Sequence, residues 1–235
     1  MKENPHGRYQ MANPEILSTE GSHGKVLAWV PPAKTILEFG PGPATMTRHL
    51  KRMGETLVVV EADPGFAAQC RNYADTVIEG DIEDPATWDK LLSLGHRYDR
   101  VIFSDVLEHL KDPWAVLKRV REILSPNGTV LASIPNVAHW SIRAGLFIGR
   151  FNYVEEGLLD RTHIRFFTLK TVRELFARSG YKVTRMDATV RNDFFFPFQI
   201  VGALLVAKPI EILIKWLFPN LVDYQFIIEA SPNRS

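Results

Sequence analysis

The sequence lacks several features that would narrow its function at once. It holds one cysteine, Cys70, so no internal disulfide can form, and a reducing cytoplasm fits this composition. Its net charge is only +1, which argues against a large nucleic-acid interface. The longest charge-free apolar stretch, 194–207, is too short to span a bilayer, and no apolar signal-peptide core is visible near Met1. We therefore expect a cytoplasmic globular protein.

The composition supports one domain of ordinary size. Hydrophobic residues make up 46% of 235 residues, which is enough for a full core, and the chain shows no internal repeat. Residues 1–20 are polar and contain prolines, so we expect a partly ordered arm there. Residues 21–235 are expected to form a single domain, with a hydrophobic insertion or lid at 190–222.

Short strands alternate with helices from residue 35 onward. The pattern predicts strands at 35–39, 56–61, 75–79, 99–104, 129–134, 181–187 and 223–230. Helices are expected at 22–30, 44–53, 64–72, 85–93, 113–124 and 168–179, with Asp84 and Thr168 as N-caps. This alternation predicts an α/β, doubly wound, mostly parallel seven-stranded sheet of the Rossmann-like kind, with ligands bound at the carboxyl ends of its strands.

A glycine loop follows the first predicted strand and indicates a nucleotide-type cofactor. Gly40 and Gly42 let the backbone approach a ligand, and Glu38 stands two residues before them. The next strand ends in Glu61, an acid placed to accept hydrogen bonds from ribose hydroxyls, with Ala62 beside it. These residues predict a pocket for an adenosine-containing cofactor.

The same loop favours S-adenosylmethionine over a nicotinamide dinucleotide. The dinucleotide fingerprint needs a third glycine where this chain has Thr45. Pro41 and Pro43 remove N–H donors that a pyrophosphate would use, and the Glu38 carboxylate would repel it. A carboxylate suits the amine of S-adenosylmethionine, which has no phosphate. An NAD-dependent enzyme remains the weaker alternative.

Further acids follow the third and fourth predicted strands. Asp81 is a candidate hydrogen-bond acceptor for the adenine amine, with Ile82 packed on the ring. Asp105 ends the fourth strand, so both acids are expected at the edge of the sheet that carries Glu38 and Glu61.

Two of these stretches resemble known motifs. Residues 38–44 are similar to motif I of the class I S-adenosylmethionine-dependent methyltransferases, acid-x-G-x-G-x-G, except that Ala44 replaces the third glycine. Residues 105–109, D-V-L-E-H, resemble the motif after the fourth strand of small-molecule methyltransferases. That resemblance implies that Ser104 contacts the methionine amine through its backbone and that Asp105 lies near the methyl group.

The resemblance extends over residues 22–183. P-N-V-A-H-W-S-I-R and L-L-D-R-T-H-I-R-F-F-T are similar to bacterial methyltransferases found beside glycosyltransferases, and distantly to the UbiG and MetW groups. It implies methyl transfer to an oxygen or nitrogen of a small molecule, a sugar or a lipid-linked glycan. A non-catalytic relative of the same fold, acting as an oligomeric or membrane-bound partner, is the alternative.

Two histidines are candidates for the general base that an oxygen acceptor would need. His163, with Asp160 near enough in sequence to orient it, is the first choice, because a neutral imidazole can take a hydroxyl proton. Asp160 and His163 could instead only pin the loop through ion pairs. His109 is the second choice, or else a structural histidine. Glu108 and His109 could be metal ligands, but no third ligand follows from the spacing, so no metal site is assigned and metal dependence stays open.

Polar and aromatic residues after the fifth strand are candidates for acceptor binding: Asn136, His139, Trp140, Arg143 and, further on, Arg165. The sequence leaves the acceptor open among a sugar, a glycan, a quinone-like phenol and a small acid. The apolar residues 194–218 are either a lid, a homodimer interface, or a peripheral membrane contact.

Overall fold

The computed structural model describes residues 18–190 and 219–233, and its centre is a seven-stranded sheet. The strands are β1 Ala33–Phe39, β2 Gly54–Glu61, β3 Thr76–Glu79, β4 Tyr98–Ser104, β5 Leu124–Pro135, β6 Tyr181–Val190 and β7 Asp223–Pro232. The order is β3-β2-β1-β4-β5-β7-β6, in which β7 runs antiparallel to both of its neighbours and the other pairs are parallel. The predicted fold class is confirmed.

Helices cover both faces of this sheet. They are α1 Ser22–Ala28, α2 Thr47–Leu50, α3 Pro64–Cys70, α4 Pro85–Ser93, α5 Pro113–Ile123, α6 Trp140–Phe147, α7 Leu169–Arg178 and α8 Pro219–Val222, with a short 3-10 turn at Leu107–His109. Side-chain caps begin five of them, because Asp63, Asp84, Asp112, His139 and Thr168 each accept hydrogen bonds from first-turn N–H groups. The two predicted caps, Asp84 and Thr168, are among these.

The core is divided by the sheet into two apolar layers. Phe39, Phe103 and Trp88 lie in the larger layer, where the rings of Phe39 and Phe103 stack 5.0 Å apart. β1 and β4 are neighbours, with Phe39 opposite Phe103 in the register, so the loops that follow them leave the same edge side by side. The strand order reverses between β1 and β4, and this edge is therefore the expected ligand site.

The glycine loop makes the helix after β1 much shorter than predicted. Ala44 has a φ of 59°, so the helix expected from residue 44 begins only at Thr47. β5 in turn begins at Leu124, five residues earlier than expected. Most of the predicted arm and of the insertion at 190–222 lies outside the described residues. Among the residues that are described, no helix is long and apolar enough to cross a membrane.

Candidate functional site

A cleft of about 680 Å³ opens at the carboxyl ends of the central strands. Its walls come from α1, from the loops after β1, β2 and β4, from the 3-10 turn, from the loop at 156–163 and from the start of β7. The polar side chains that line it are His23, Thr45, Glu61, Asp63, Ser104, Asp105, Glu108, His109, Glu156, Asp160, Thr162, His163, Tyr224 and Gln225. The cleft is large enough for a small ligand.

The glycine loop forms one wall and is tied to Glu61. Gly40 and Gly42 have φ values of 58° and 56°, a region that favours glycine. The Gly42 N–H donates to Glu61 Oε2 at 3.0 Å, and the Asp63 N–H donates to Oε1 at 2.8 Å. Each carboxyl oxygen has two acceptor sites, so Glu61 keeps capacity for further donors on the cleft side. Ala62 lies between them in the same wall.

Glu38 lies behind this loop, buried and not among the residues that line the cleft. Burial raises the pKa of Glu38 from 4.5 to about 8; the Thr47 hydroxyl partly offsets this rise and nearby Glu61 adds to it. Glu38 is therefore largely protonated near neutral pH and loses its proton when a cationic group approaches or the pH rises.

The raised pKa of Glu38 predicts that stability falls with rising pH. The unfolded chain releases the Glu38 proton near pH 4.5 and the folded chain near pH 8, so stability present below pH 4.5 is lost through that window. We expect Glu38→Gln to remove about 4 kcal/mol of this loss between pH 5 and 8. Urea unfolding of both proteins at the two pH values measures it. An equal pH dependence in the variant would contradict the burial of this carboxyl.

Asp105 is held in a strained backbone conformation at the end of β4. Its φ is 57°, which is uncommon for a residue other than glycine. The Ser133 hydroxyl and the Gln225 amide donate to Oδ1 at 2.7 and 2.8 Å, and the Ser104 hydroxyl lies 3.1 Å from that of Ser133. Strain of this kind persists where the surroundings fix it, which is common at functional sites.

His23 reaches the same carboxylate from α1. Its Nε2 lies 3.7 Å from Asp105 Oδ2, and the Ser22 hydroxyl donates to that oxygen at 3.4 Å. Both His23 and Asp105 are partly exposed to the cleft. No local pattern in the sequence points to His23, because the contact joins residues 82 positions apart, from α1 and the end of β4.

Glu108, His109 and His163 come together at the far wall of the cleft. Each offers a ligand atom within 4.8 Å of the others, and His163 Nε2 lies 3.9 Å from Glu108 Oε1. Neither Glu108 oxygen accepts a hydrogen bond from another residue that the structure describes. Burial, then the charge of Asp105, raises the pKa of Glu108 well above its usual value. When deprotonated, this set could hold a divalent cation, a grouping that sequence spacing did not reveal.

The hydrogen bonds around His163 differ from the expected pairing with Asp160. Asp160 Oδ1 instead accepts from the N–H and hydroxyl of Thr162, at 2.8 and 2.6 Å. A backbone contact with Leu158 raises the pKa of His163, but by less than burial lowers it. Burial, with His109 close by, lowers the pKa of His163, and Asp160 only partly offsets this through its charge. His109 Nδ1 lies 3.2 Å from the Thr162 carbonyl oxygen.

Asn136 and His139 lie behind the cleft and support it. The Asn136 amide donates to the carbonyls of Asn220 and Asp223 at 3.0 and 2.7 Å, which joins the end of β5 to β7. The His139 ring lies edge-on to Tyr224 at 5.4 Å, and Tyr224 itself lines the cleft. In this structure both residues fix Tyr224 rather than face the cavity.

Other residues expected in the site also lie outside the cleft lining. Arg143 donates to the Ala138 carbonyl at 2.7 Å, and Arg165 donates to the Lys111 carbonyl. Trp140 begins α6. Ile82 is buried in the core, and exposed Asp81 accepts from the Glu83 N–H at 2.8 Å. A ligand that extends beyond the cleft is needed to reach any of them.

Comparison with known proteins gives a consistent result. A family described as "Methyltransferase domain" matches residues 21–186. A ubiquinone biosynthesis O-methyltransferase of Azorhizobium caulinodans is 28% identical over 182 residues, which cover 74% of this chain and 71% of that protein. A protein of the same name from Dinoroseobacter shibae is 31% identical over 160 residues, covering 67% of this chain and 63% of that protein.

Solved structures share the fold at low sequence identity. A SAM-dependent methyltransferase from Archaeoglobus fulgidus superposes with a TM-score of 0.61 at 16% identity, covering 89% of this chain and 94% of the other. Magnesium protoporphyrin IX methyltransferase from Synechocystis, solved with bound SAH, gives 0.58 at 15% identity and covers 91% and 83%. At this identity the likeness establishes the fold.

Proposed function

The chain belongs to the methyltransferase domain family, and we propose that it moves a methyl group from S-adenosylmethionine to a hydroxyl oxygen of a small ring-bearing acceptor. The observation that carries this proposal is the cleft itself, which is lined by the glycine loop and Glu61 and, at its far wall, by His109 and His163. A non-catalytic protein of this fold would not need such an acceptor space. The name of the relatives, O-methyltransferases of ubiquinone biosynthesis, supports an oxygen acceptor.

The donor wall fits the cofactor. A Cβ built on Gly42 would meet nothing within 4 Å, so the space above this residue is open to a ligand. Glu61 keeps acceptor sites on the same side, and ribose hydroxyls are donors that suit them. We assign the ribose to Glu61 and Ala62, the methionine end to Gly40, Ser104 and Asp105, and the adenine to the side of Asp81 and Ile82. In this assignment Glu38 stabilises the bound amine from behind the loop.

The acceptor wall supplies a proton acceptor. When bound, S-adenosylmethionine supplies a methyl group on a positively charged sulfur. His163 receives the acceptor hydroxyl proton at a ring nitrogen, because the lowered pKa keeps the ring neutral. His109 packs edge-on against His163 at 4.8 Å and fixes its position. The cleft walls align the acceptor and limit its contact with water.

Replacing each glycine of the loop by alanine should distinguish effects on folding from effects on cofactor binding. The Cβ of Gly40→Ala would lie 2.9 Å from Val106 Cγ2, whereas the Cβ of Gly42→Ala would meet nothing within 4 Å. Both substitutions also strain the backbone, because each glycine has a positive φ. We expect Gly40→Ala to lower the free energy of unfolding by about 1 to 2 kcal/mol more than Gly42→Ala does. Gly42→Ala should weaken S-adenosylmethionine binding at least about tenfold. Thermal unfolding and calorimetry measure both effects, and equal affinity in Gly42→Ala would contradict the assigned donor wall.

An assay with methyl-labelled S-adenosylmethionine tests the function directly. The acceptors are a dihydroxybenzoate as a phenolic probe, a simple sugar, a lipid-linked glycan and an aliphatic amine. We expect label in the phenolic product, released as a methyl ether. Transfer to the amine alone, with none to hydroxyl acceptors, would overturn the oxygen assignment.

A further inference from the structure

The cleft is lined by acids and by no lysine or arginine among the residues that the structure describes. The lining also holds three histidines, which carry a charge only when they are protonated. A cleft lined by one sign of charge attracts ligands of the opposite sign and repels ligands of the same sign. The six acids of the lining are Glu61, Asp63, Asp105, Glu108, Glu156 and Asp160.

Hydrogen bonds to neutral groups hold three of these acids in place. Asp105 Oδ1 accepts from the Ser133 hydroxyl and the Gln225 amide at 2.7 and 2.8 Å. Glu61 and Asp160 accept from backbone N–H groups, and Asp160 also accepts from a threonine hydroxyl. Such bonds stabilise a carboxylate without cancelling its charge, so the negative charge still acts on a ligand in the cleft.

The arginines that could bind an anionic acceptor are engaged elsewhere. Arg143 and Arg165 each donate to a backbone carbonyl, and Arg161 pairs with the exposed Glu155. None of the three belongs to the lining of the cleft in the described chain. Carboxylates and phosphates are bound in proteins chiefly by arginine and lysine, so the described walls offer an anion no such partner.

One acid of the lining, Glu108, offers unsatisfied oxygens to a ligand. It is only 1% exposed, and neither of its oxygens accepts a hydrogen bond from a residue that the structure describes. His163 Nε2 lies 3.9 Å from Glu108 Oε1, beyond hydrogen-bonding distance. Buried polar atoms without partners destabilise a protein, so a ligand that brings a hydrogen-bond donor would be favoured here. An anionic group in the same place would instead bring no donor and be repelled.

We propose that the cleft selects its acceptor by charge: the part of the acceptor that enters carries no anionic group, and its hydrogen-bond donors meet the acids of the lining. This rests on the proposed function, because it states the charge of the molecule that the same cleft would methylate. Of the acceptors that the sequence leaves open, it removes the small acid and places any phosphate of a lipid-linked glycan outside the cleft. The positively charged sulfur of the methyl donor suits the same acidic lining.

Binding of three probes that share a dihydroxyphenyl ring tests this charge selection. The probes are a dihydroxybenzoate, its methyl ester and a dihydroxybenzylamine, each titrated in EDTA into the full chain saturated with S-adenosylhomocysteine. We expect the ester and the amine to bind at least about tenfold more tightly than the benzoate at low ionic strength, because like charges repel strongly in a partly buried site. The difference should shrink in about 1 M salt, which screens charges over a few ångströms.

Reversing one charge at the rim gives a matched pair of variants. Glu156 is exposed and lines the cleft, so Glu156→Lys should raise the affinity for the benzoate about threefold or more and leave the affinity for the ester unchanged. The control is Glu55→Lys, which makes the same change near the other end of β2 and should keep all three affinities within about twofold. Glu108→Gln replaces an acceptor oxygen by a donor and should weaken binding of the amine more than that of the benzoate. Thermal unfolding checks that each variant is folded.

Three results would overturn the proposal. The first is benzoate binding as tight as that of the ester, and the second is failure of both the ester and the amine to bind at millimolar concentration. The third is a preference for the benzoate once a divalent cation replaces EDTA, which would assign the acids to a metal ion. The proposed function fails separately, because these titrations require no methyl transfer: charge selection without label in any hydroxyl acceptor would refute only the reaction.

Discussion

Replacing Glu61 with alanine should weaken S-adenosylmethionine binding by about 30-fold to 150-fold, because a charged acceptor of ribose hydroxyls contributes about 2 to 3 kcal/mol. The effect has two sources. The side chain offers the acceptors, and it also fixes the loop through the N–H groups of Gly42 and Asp63. Isothermal titration with S-adenosylmethionine measures the loss.

A matched control distinguishes the loss of a contact in the cleft from the general effect of removing a carboxylate from β2. Glu55 is exposed near the other end of β2, so Glu55→Ala removes a carboxylate without touching the cleft. Its affinity should stay within about twofold of the natural chain. Glu61→Gln keeps one acceptor oxygen, so its affinity for S-adenosylmethionine should lie between those of Glu61→Ala and Glu55→Ala. Unchanged affinity in Glu61→Ala, with the fold intact, would remove Glu61 from the donor site.

Replacing His163 with alanine should lower turnover of the phenolic probe by about a hundredfold to ten-thousandfold, the usual range for a general base. Affinity for S-adenosylmethionine should change little, because His163 stands on the opposite wall from Glu61. The pKa of His163 is lowered by burial, so the acid limb of kcat/KM should lie below pH 6.5 and be absent from the variant. Steady-state kinetics across pH measures both.

Two controls test whether His163 acts as a general base. His96 is exposed and remote from the cleft, so His96→Ala should retain full turnover. Because His163 also belongs to the group of potential metal ligands, the assay is repeated with EDTA. Turnover in the natural chain that is abolished by EDTA and restored by a divalent cation would reassign His163 to metal binding, and full turnover in His163→Ala would remove it from the reaction.

Local patterns predicted the fold and the edge of the sheet at which the cleft opens. The strands alternate with helices at ordinary spacing, and the caps at Asp84 and Thr168 follow from side chains that act within three residues. Gly40, Gly42, Glu61 and Asp105 follow strand ends, and parallel strands bring such residues to one edge. Each of these inferences depends only on residues close in sequence, or on the rule that the carboxyl ends of parallel strands meet at one edge of the sheet.

The other side of the cleft, with His23, Glu108 and His163, was harder to predict because its segments are far apart in the sequence. His23 meets Asp105 across 82 residues, and His163 meets Glu108 across 55, where the return of each loop is set by tertiary packing. Sequence order suggested that Asp160 orients His163, but its carboxylate bonds to Thr162, which is closer along the turn. Tyr224 and Gln225 come from β7, which is distant from β5 in the sequence but pairs with it in the sheet.

Titration of the natural chain with S-adenosylmethionine and, separately, with NAD tests whether the cleft binds the methyl donor and not a dinucleotide. We expect saturable one-to-one binding of S-adenosylmethionine in the micromolar range and no measurable binding of NAD, because the glycine loop lacks the third glycine and the N–H donors that a pyrophosphate needs. Binding of NAD as tight as that of S-adenosylmethionine, or no binding of S-adenosylmethionine by the folded chain, would contradict it.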